Sequence, residues 1–564
     1  MKGKFIIYQI LVRAFGNESN KFIPGGSLVN NGCGKFNDIS SQRLNEIKQL
    51  SVSYIWYTGI IEHATKTDYS KYGIKQSNNQ IVKGEAGSPY AIKDYYDVDP
   101  DLAVDVNSRM DEFYSLIKRT KEADLKTIID FVPNHLAREY YSDSKPAGIE
   151  DFGINDDITK EFSPNNNFYY LPKQKLDISD ILDSVPQSYI EIPAKVSGND
   201  CFSNKPSKYD WYDTVKLNYG VDYSTGNSYF SPIPKTWKMM LDVLLFWVSK
   251  GVDGFRCDMA EMVPVEFWQW AITQVKEKYP GIIFIGELYN QEKYDLYLNI
   301  GKFDYLYDKV GLYDTLKLVS QSKLEAYNIT NVWQKIDRIQ NKMLNFLENH
   351  DEQRIASNYN LSNPFYAIPW LTISLMLNRA PFMIYAGQEF GEKGMLNEGY
   401  STQDGRTSIF DYSYIPALKL FFSSNLDKES KELYDVYTKL CYIAISERAI
   451  NKGDTYDLEY ANVDYNLFDS RNQYVFARKT RKTIQDFDAK EELIIIFTNF
   501  RQNNNLANIS LPKDFFKHWN ITENNTYESV NLLSGKDNKV ILSSNSTLKI
   551  EVNEYGIAII KIVL

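Results

Sequence analysis

The chain has 564 residues, of which 43% are hydrophobic, 14% aromatic and 24% charged, and its formal net charge is −10. This length accommodates one large domain with one or two smaller ones, and the composition is that of a soluble globular protein. The acidic balance without any basic run excludes nucleic acid as a partner, because phosphate binding needs a positive patch, and no stretch reaches the ~20 apolar residues of a membrane span.

Four cysteines, Cys33, Cys201, Cys257 and Cys441, lie scattered without CxxC spacing. They argue against a disulfide framework or zinc site and suit a reducing, cytoplasmic location. The opening "MKGKFIIYQILVRAFGNESN" carries an apolar run interrupted by Gln9 and Arg13, and no small-residue cleavage site follows. It reads as a buried strand, not a signal peptide.

In chain order, the first predicted strand is "KFIIYQI" (4–10), followed by the helical "SQRLNEIKQLS" and the strand "VSYIWYTG" (52–59). The helical "SRMDEFYSLIKRTKEADL" then leads into the strand "KTIIDFV" (126–132). From about 136 to 231 the chain is rich in Asn, Asp, Ser, Pro and Tyr without a helical period. That is too long for a simple loop and reads as an inserted subdomain. Alternation resumes with "TWKMMLDVLLFWVSKG", the strand "VDGFRCDM" (252–259), "VEFWQWAITQVKEKY" and the strand "IIFIGELY" (282–289). The strands "FDYLYD" (303–308), "KMLNFLEN" (342–349) and "PFMIYAGQE" (381–389) complete a set of eight. Eight strands with helical crossovers predict a (β/α)8 TIM barrel over 1–135 and 232–451, interrupted by the subdomain at 136–231. After about 452, "QYVFARK", "ELIIIFTNF", "TLKIEV" and "GIAIIKIVL" alternate with Asn, Ser and Gly turns. They predict a C-terminal antiparallel β-sandwich domain, 452–564.

In such a barrel, functional side chains gather at the C-terminal ends of the strands. Four predicted ends are unusually polar: "IIDFVPNH" supplies Asp130, Asn134 and His135, "GFRCDM" Arg256 and Asp258, "IIFIGELY" Glu287, and "NFLENHDEQR" His350 and Asp351. A single carboxylate there is as readily structural as functional; several carboxylates with two histidines and an arginine at one mouth point to chemistry. Two carboxyl groups flanking a bond, one ionised and one protonated, are what glycoside hydrolysis requires. Arg256 and Asp258 share a strand face, so the cation is expected to hold Asp258 ionised. Glu287 follows an apolar run, so desolvation is expected to keep it protonated as a general acid. Cys257 points the other way and reads as a small core residue.

These four segments resemble, in order, the four conserved regions of the α-amylase superfamily, glycoside hydrolase family thirteen. The resemblance covers nearly the whole chain, including the insert and the C-terminal domain. It implies Asp258 as nucleophile, Glu287 as acid/base and Asp351 as transition-state stabiliser, with Arg256 orienting Asp258. It also implies that His135 and His350 hold sugar hydroxyls and that Asp130 belongs to the same substrate site. "SPYAIKDYYDVDP" resembles the segment whose tyrosine, here Tyr90, stacks on the central glucose; a buried core tyrosine is the plainer reading. Of the two remaining histidines, His63 and His518 keep a structural reading.

The resemblance has departures. Where α-amylases carry Lys-His after the nucleophile region, this chain has Glu261 and Met262. Asn134 keeps the calcium-type position, and "GINDD" (153–157) supplies further oxygens, so bound calcium is one expectation and a solvated acidic turn the other. No organic cofactor is implied. "DTVKLNYG" (213–220) resembles the fifth conserved region as found in the neopullulanase and cyclomaltodextrinase branch, whose extra N-terminal domain has no counterpart before the first strand. The expectation is a retaining hydrolase of α-1,4-linked glucans or maltodextrins. The alternatives are a transglycosylase or isomerase of the trehalose synthase type on the same site, and a non-catalytic carbohydrate-binding protein. Chain-length preference, endo or exo action and oligomeric state are not read from the sequence.

Overall fold

A computed structural model describes residues 3–19, 21–401, 403–463, 468–480, 491–501 and 505–564. The eight predicted barrel strands are present as Ile6–Leu11, Val52–Thr58, Lys126–Phe131, Gly254–Cys257, Ile283–Gly286, Tyr305–Tyr307, Met343–Phe346 and Phe382–Tyr385. They close into one parallel barrel with each strand beside its sequence neighbours and the eighth beside the first. Parallel strands covered on both faces need near-continuous apolar runs, and Ile6–Leu11 is buried at every position. The helices complement this with one apolar side. Lys235–Ser249 buries Trp237, Met240, Leu244 and Trp247, which recur at three- or four-residue intervals and so share a face.

Two excursions rise from the strand ends. After the second strand, Ile61–His63 pairs antiparallel with Ile92–Val98. After the third, His135–Ala137 pairs with Thr214–Lys216, and Tyr170–Leu171 with Ala194–Lys195. The latter excursion has a small core of its own, in which Tyr169, Leu176, Ile178 and Val196 pack with Ile81 from the former.

The C-terminal region forms a six-stranded sheet and a separate pair, Asn505–Ser510 with Thr547–Val552. Val475, Ile495 and Phe497 of the sheet share one core with Ala507, Ile509 and Ile550 of the pair, which makes the two layers of a sandwich. The strands Asn525–Asn531 and Lys536–Leu542 carry no apolar alternation and escape the sequence reading. They form an outer ribbon that is largely exposed, so packing does not constrain their composition. All four cysteines are unpaired thiols. Among the described residues no helix is long and apolar enough to cross a membrane.

Candidate active site

Side chains alternate along a strand, so Arg256 and Asp258 emerge on one side of the fourth strand while Cys257 turns into the core, fully buried. Arg256 Nη1 donates to Asp258 Oδ1 at 2.8 Å. Its other terminal nitrogen, Nη2, lies 2.6 Å from Glu287 Oε1 at the end of the fifth strand. Its Nε donates to the Tyr307 hydroxyl at 3.2 Å, and the rings of Trp56, Tyr90 and Tyr307 box it at 5.3–5.6 Å. A planar five-donor cation suits this bridging task better than lysine.

The bridge corrects the reading of the two carboxylates by environment. Arg256 serves both and does not distinguish Asp258. Burial pushes the Asp258 carboxyl well above the usual range, Arg256 opposes that, and the nearby Glu287 and Asp130 add to it. One buried cation thus holds both carboxylates, and Arg256 alone does not set their two roles apart. The apolar run before Glu287 was a poor guide because strand-end side chains meet partners from other strands.

The sequence-derived residues arrange themselves in two tiers. Tyr90, His135, Asp258, Glu287 and Asp351 line one cavity of about 280 Å³ at the strand ends. Arg256, His350 and Asp130 stand directly behind them. Asp130 accepts from Trp56 Nε1 at 3.0 Å and faces Arg256 Nη1 at 3.5 Å. His350 Nε2 is 2.5 Å from the Tyr90 hydroxyl and 3.1 Å from Asp351 Oδ2, and its Nδ1 meets Gln9 Nε2 at 2.9 Å. The Tyr90 ring stacks on His350 with centroids 5.3 Å apart. Against the penalty of burial, His350 and the arginines hold the Asp351 carboxyl down at about 2. Burial, with Lys216 and Lys83 nearby, depresses His135 to about 3, so its imidazole is neutral at ordinary pH. His63 stays structural, locked between Arg13 and Asp99.

Sequence reasoning missed Tyr289, whose hydroxyl donates to Glu287 Oε1 at 2.8 Å. The signal was its position two residues after Glu287. It also left Glu261 without a task. The Glu261 carboxylate accepts the backbone N–H groups of Tyr289 at 3.1 Å and Asn290 at 3.3 Å, clamping the turn behind Glu287.

The calcium expectation does not fit the residues. Asn134 Oδ1 accepts from Lys216 Nζ at 2.5 Å, and the same ammonium meets Asp200 Oδ1 at 2.7 Å and the Met262 carbonyl at 3.3 Å. A buried lysine thus supplies the positive charge among these oxygens. In "GINDD", Asp156 accepts the backbone N–H groups of Asn167 and Phe168 from a later segment, and Asp157 that of Thr159 within its own turn, so both carboxylates are engaged.

Comparison with known proteins agrees with this geometry. The family "Alpha amylase, catalytic domain" matches residues 9–520. The chain is similar to α-amylase 3 of Dictyoglomus thermophilum, 23% identical over 79% of this chain and 78% of that protein. It is also similar to an α-1,4-glucan:maltose-1-phosphate maltosyltransferase of Picrophilus torridus, 23% identical over 46% of this chain and 32% of that one. Among solved structures, a noncanonic maltogenic α-amylase from Thermotoga neapolitana superposes with a TM-score of 0.62 at 19% identity, covering 99% of both chains. With a closed eight-stranded barrel, a matching family across most of its length and acidic strand ends gathered at one cavity, this chain belongs to the α-amylase family.

Proposed function

We propose that the protein is a retaining glycoside hydrolase that cleaves α-1,4-glucosidic bonds in starch-derived glucans or maltodextrins. The observation that carries this reading is the single guanidinium bridging Asp258 and Glu287 at the wall of one cavity that Asp351 also lines. In this reading an Asp258 carboxylate oxygen forms a bond to the anomeric carbon as Glu287 gives its proton to the glycosidic oxygen, and the C–O bond to the leaving sugar breaks. Water then attacks the same carbon, Glu287 takes the water proton, and Asp258 is released. Two inversions at one carbon retain its configuration. Asp351, held ionised, lies where it can stabilise oxocarbenium-like charge, and neutral His135 can accept or donate to a sugar hydroxyl.

The covalent intermediate can also pass to a sugar hydroxyl, and the similarity to a maltosyltransferase keeps transglycosylation as the second reading. One experiment tests both. Incubation with maltoheptaose, starch, pullulan and trehalose, followed by chromatography and anomer-resolved NMR, is expected to give shorter α-configured maltooligosaccharides. Products longer than the substrate identify transfer, and inverted products overturn the mechanism.

A further inference from the structure

The cavity is walled on one side. In the closed barrel the first, second and eighth strands stand across the mouth from the fifth, and so from Glu287. Segments from that far side and from the insert meet there. Lys83 follows the second strand, Asp213 belongs to the insert, and Ile409 and Phe410 follow the eighth strand; all four line the cavity.

These segments are laced together. Lys83 Nζ lies 3.0 Å from Asp213 Oδ1, with the two side chains only 11% and 3% exposed, and it also donates to the Asp210 carbonyl at 3.3 Å. The Ala86 N–H donates to the Phe410 carbonyl at 3.1 Å. Gly84 adopts φ +66°, and a Cβ there would stand 2.2 Å from that same carbonyl oxygen, so the two backbones approach as closely as glycine allows. Arg13 ties Gly87 and Ile409 from beneath, at 3.1 and 3.3 Å. Trp211 fills the corner with its ring against His135 at 4.9 Å. Asp213 Oδ1 is held by the Lys83 ammonium, which spends a second proton on the Asp210 carbonyl and keeps a third for a hydroxyl at the end of the cavity.

We infer that this wall is the blind end of the glycone side and that the enzyme acts from the non-reducing ends of its chains. The inference rests on the hydrolytic reading above. Under it Glu287 faces the glycosidic oxygen, so the leaving portion of the chain lies on the fifth-strand side. The portion that becomes attached to Asp258 then extends toward Lys83, Asp213 and Phe410, where it must end. Asp213 and Lys83 contact the hydroxyls of the terminal sugar. With Lys83, Asp213 and Phe410 closing the cavity beyond Asp258, the glycone has a definite end, and each turnover is expected to release a unit of fixed size.

The test compares free maltoheptaose with maltoheptaose whose non-reducing end carries a 4,6-O-benzylidene block, and with β-cyclodextrin, which has no end. The expected result is one product size from the earliest time points on the free substrate. Cleavage of the blocked and cyclic ones should be at least about 100-fold lower in kcat/KM. Lys83→Ala and, independently, Phe410→Ala are expected to narrow that ratio by about tenfold or more by opening the wall, a change that mere loss of fold does not produce. Asp213→Asn is expected to raise KM for short substrates more than it lowers kcat. Equal rates on free and blocked chains overturn this inference and leave hydrolysis standing. Failure to cleave free maltoheptaose and starch overturns the hydrolytic reading and this inference with it.

Discussion

Two buried cations, Arg256 in the fourth barrel strand and Lys216 in the insert strand Thr214–Lys216, are used by the chain in opposite ways. Lys216 is sealed, 2% exposed, between Asn134, Asp200 and the Met262 carbonyl. It joins the barrel, the insert and the turn after the fourth strand, and none of its partners except His135's neighbour Asn134 belongs to a strand end facing the cavity. Arg256 is just as buried, but the carboxylates it holds, Asp258 and Glu287, line the cavity. A buried charge surrounded by engaged oxygens stabilises structure, whereas one that holds cavity-lining carboxylates keeps reactive groups in place. The difference is not visible in residue type or burial, only in what the partners face.

The sharpest way to break this contrast is to neutralise one charged group in each cluster. Asp258→Asn keeps the shape and a hydrogen-bonding atom for Arg256, so the melting temperature is expected to move little. Loss of a group that acts as the nucleophile is expected to cost about 10⁴–10⁶-fold in kcat. A variant within tenfold of the parent would put Asp258 in the same structural class as Asp200.

The second largest effect belongs to the sealed cluster. Lys216→Met leaves the buried Asn134 Oδ1 without its donor and the partly exposed Asp200 without its counter-charge, and stranding a buried acceptor costs about 1–3 kcal/mol, read from urea unfolding. The parent protein is expected to keep full activity and an unchanged melting temperature in excess chelator, because the lysine already occupies the oxygens. Loss of activity on chelation, reversed by calcium, would show a functional metal site, either in place of this ammonium or at the carboxylates of Glu62, Asp94, Asp97 and Asp143.

Much of the barrel was legible in the sequence because parallel strands buried on both faces must be apolar throughout, as in "KFIIYQI" and "KTIIDFV". The acidic strand ends were legible for the converse reason, since charged residues abruptly following such runs have few bland explanations. What was not legible depends on contacts between segments distant in sequence. Lys216 reads as an ordinary residue in "DTVKLNYG", and only the fold brings Asn134, 82 positions away, onto its ammonium. The expectation that Arg256 serves Asp258 alone failed for the same reason, because the second branch of Arg256 reaches across to the next strand. The exposed C-terminal ribbon was missed because solvent, not packing, sets its composition.

A smaller effect separates the clusters by pH. His135, at the cavity edge beside Lys216, titrates at about 3 in the folded chain against about 6.5 when unfolded. Between those values the unfolded state binds the proton and the folded state does not, so stability falls as pH drops from 6.5 toward 3. The slope approaches 1.4 kcal/mol per pH unit for one such group, giving about 2 kcal/mol by pH 5. His135→Gln is expected to flatten this limb of the unfolding profile by that amount. An unchanged slope would mean that the imidazole is charged in the folded state and that the Lys216 cluster tolerates a second cation.

The smallest effect probes the seam between the two clusters, where Glu261 and Met262 stand side by side. The Met262 carbonyl belongs to Lys216 and the Glu261 carboxylate to the turn that follows Glu287. Glu261→Gln retains one acceptor but loses the charge that grips the Tyr289 and Asn290 N–H groups, and hydrogen bonds to charged groups are worth about 1.5–3 kcal/mol. Tyr289 donates to Glu287, so a loosened turn misplaces both the tyrosine and the Glu287 carboxyl. The expected result is about a tenfold fall in kcat, with KM nearly constant and the alkaline limb of the pH–rate profile displaced. Glu261→Asp, which keeps the charge on a shorter arm, is expected to recover part of the rate. If instead Glu261→Gln lowers the melting temperature and leaves kcat and the pH profile alone, the residue belongs with Lys216 as a structural tie.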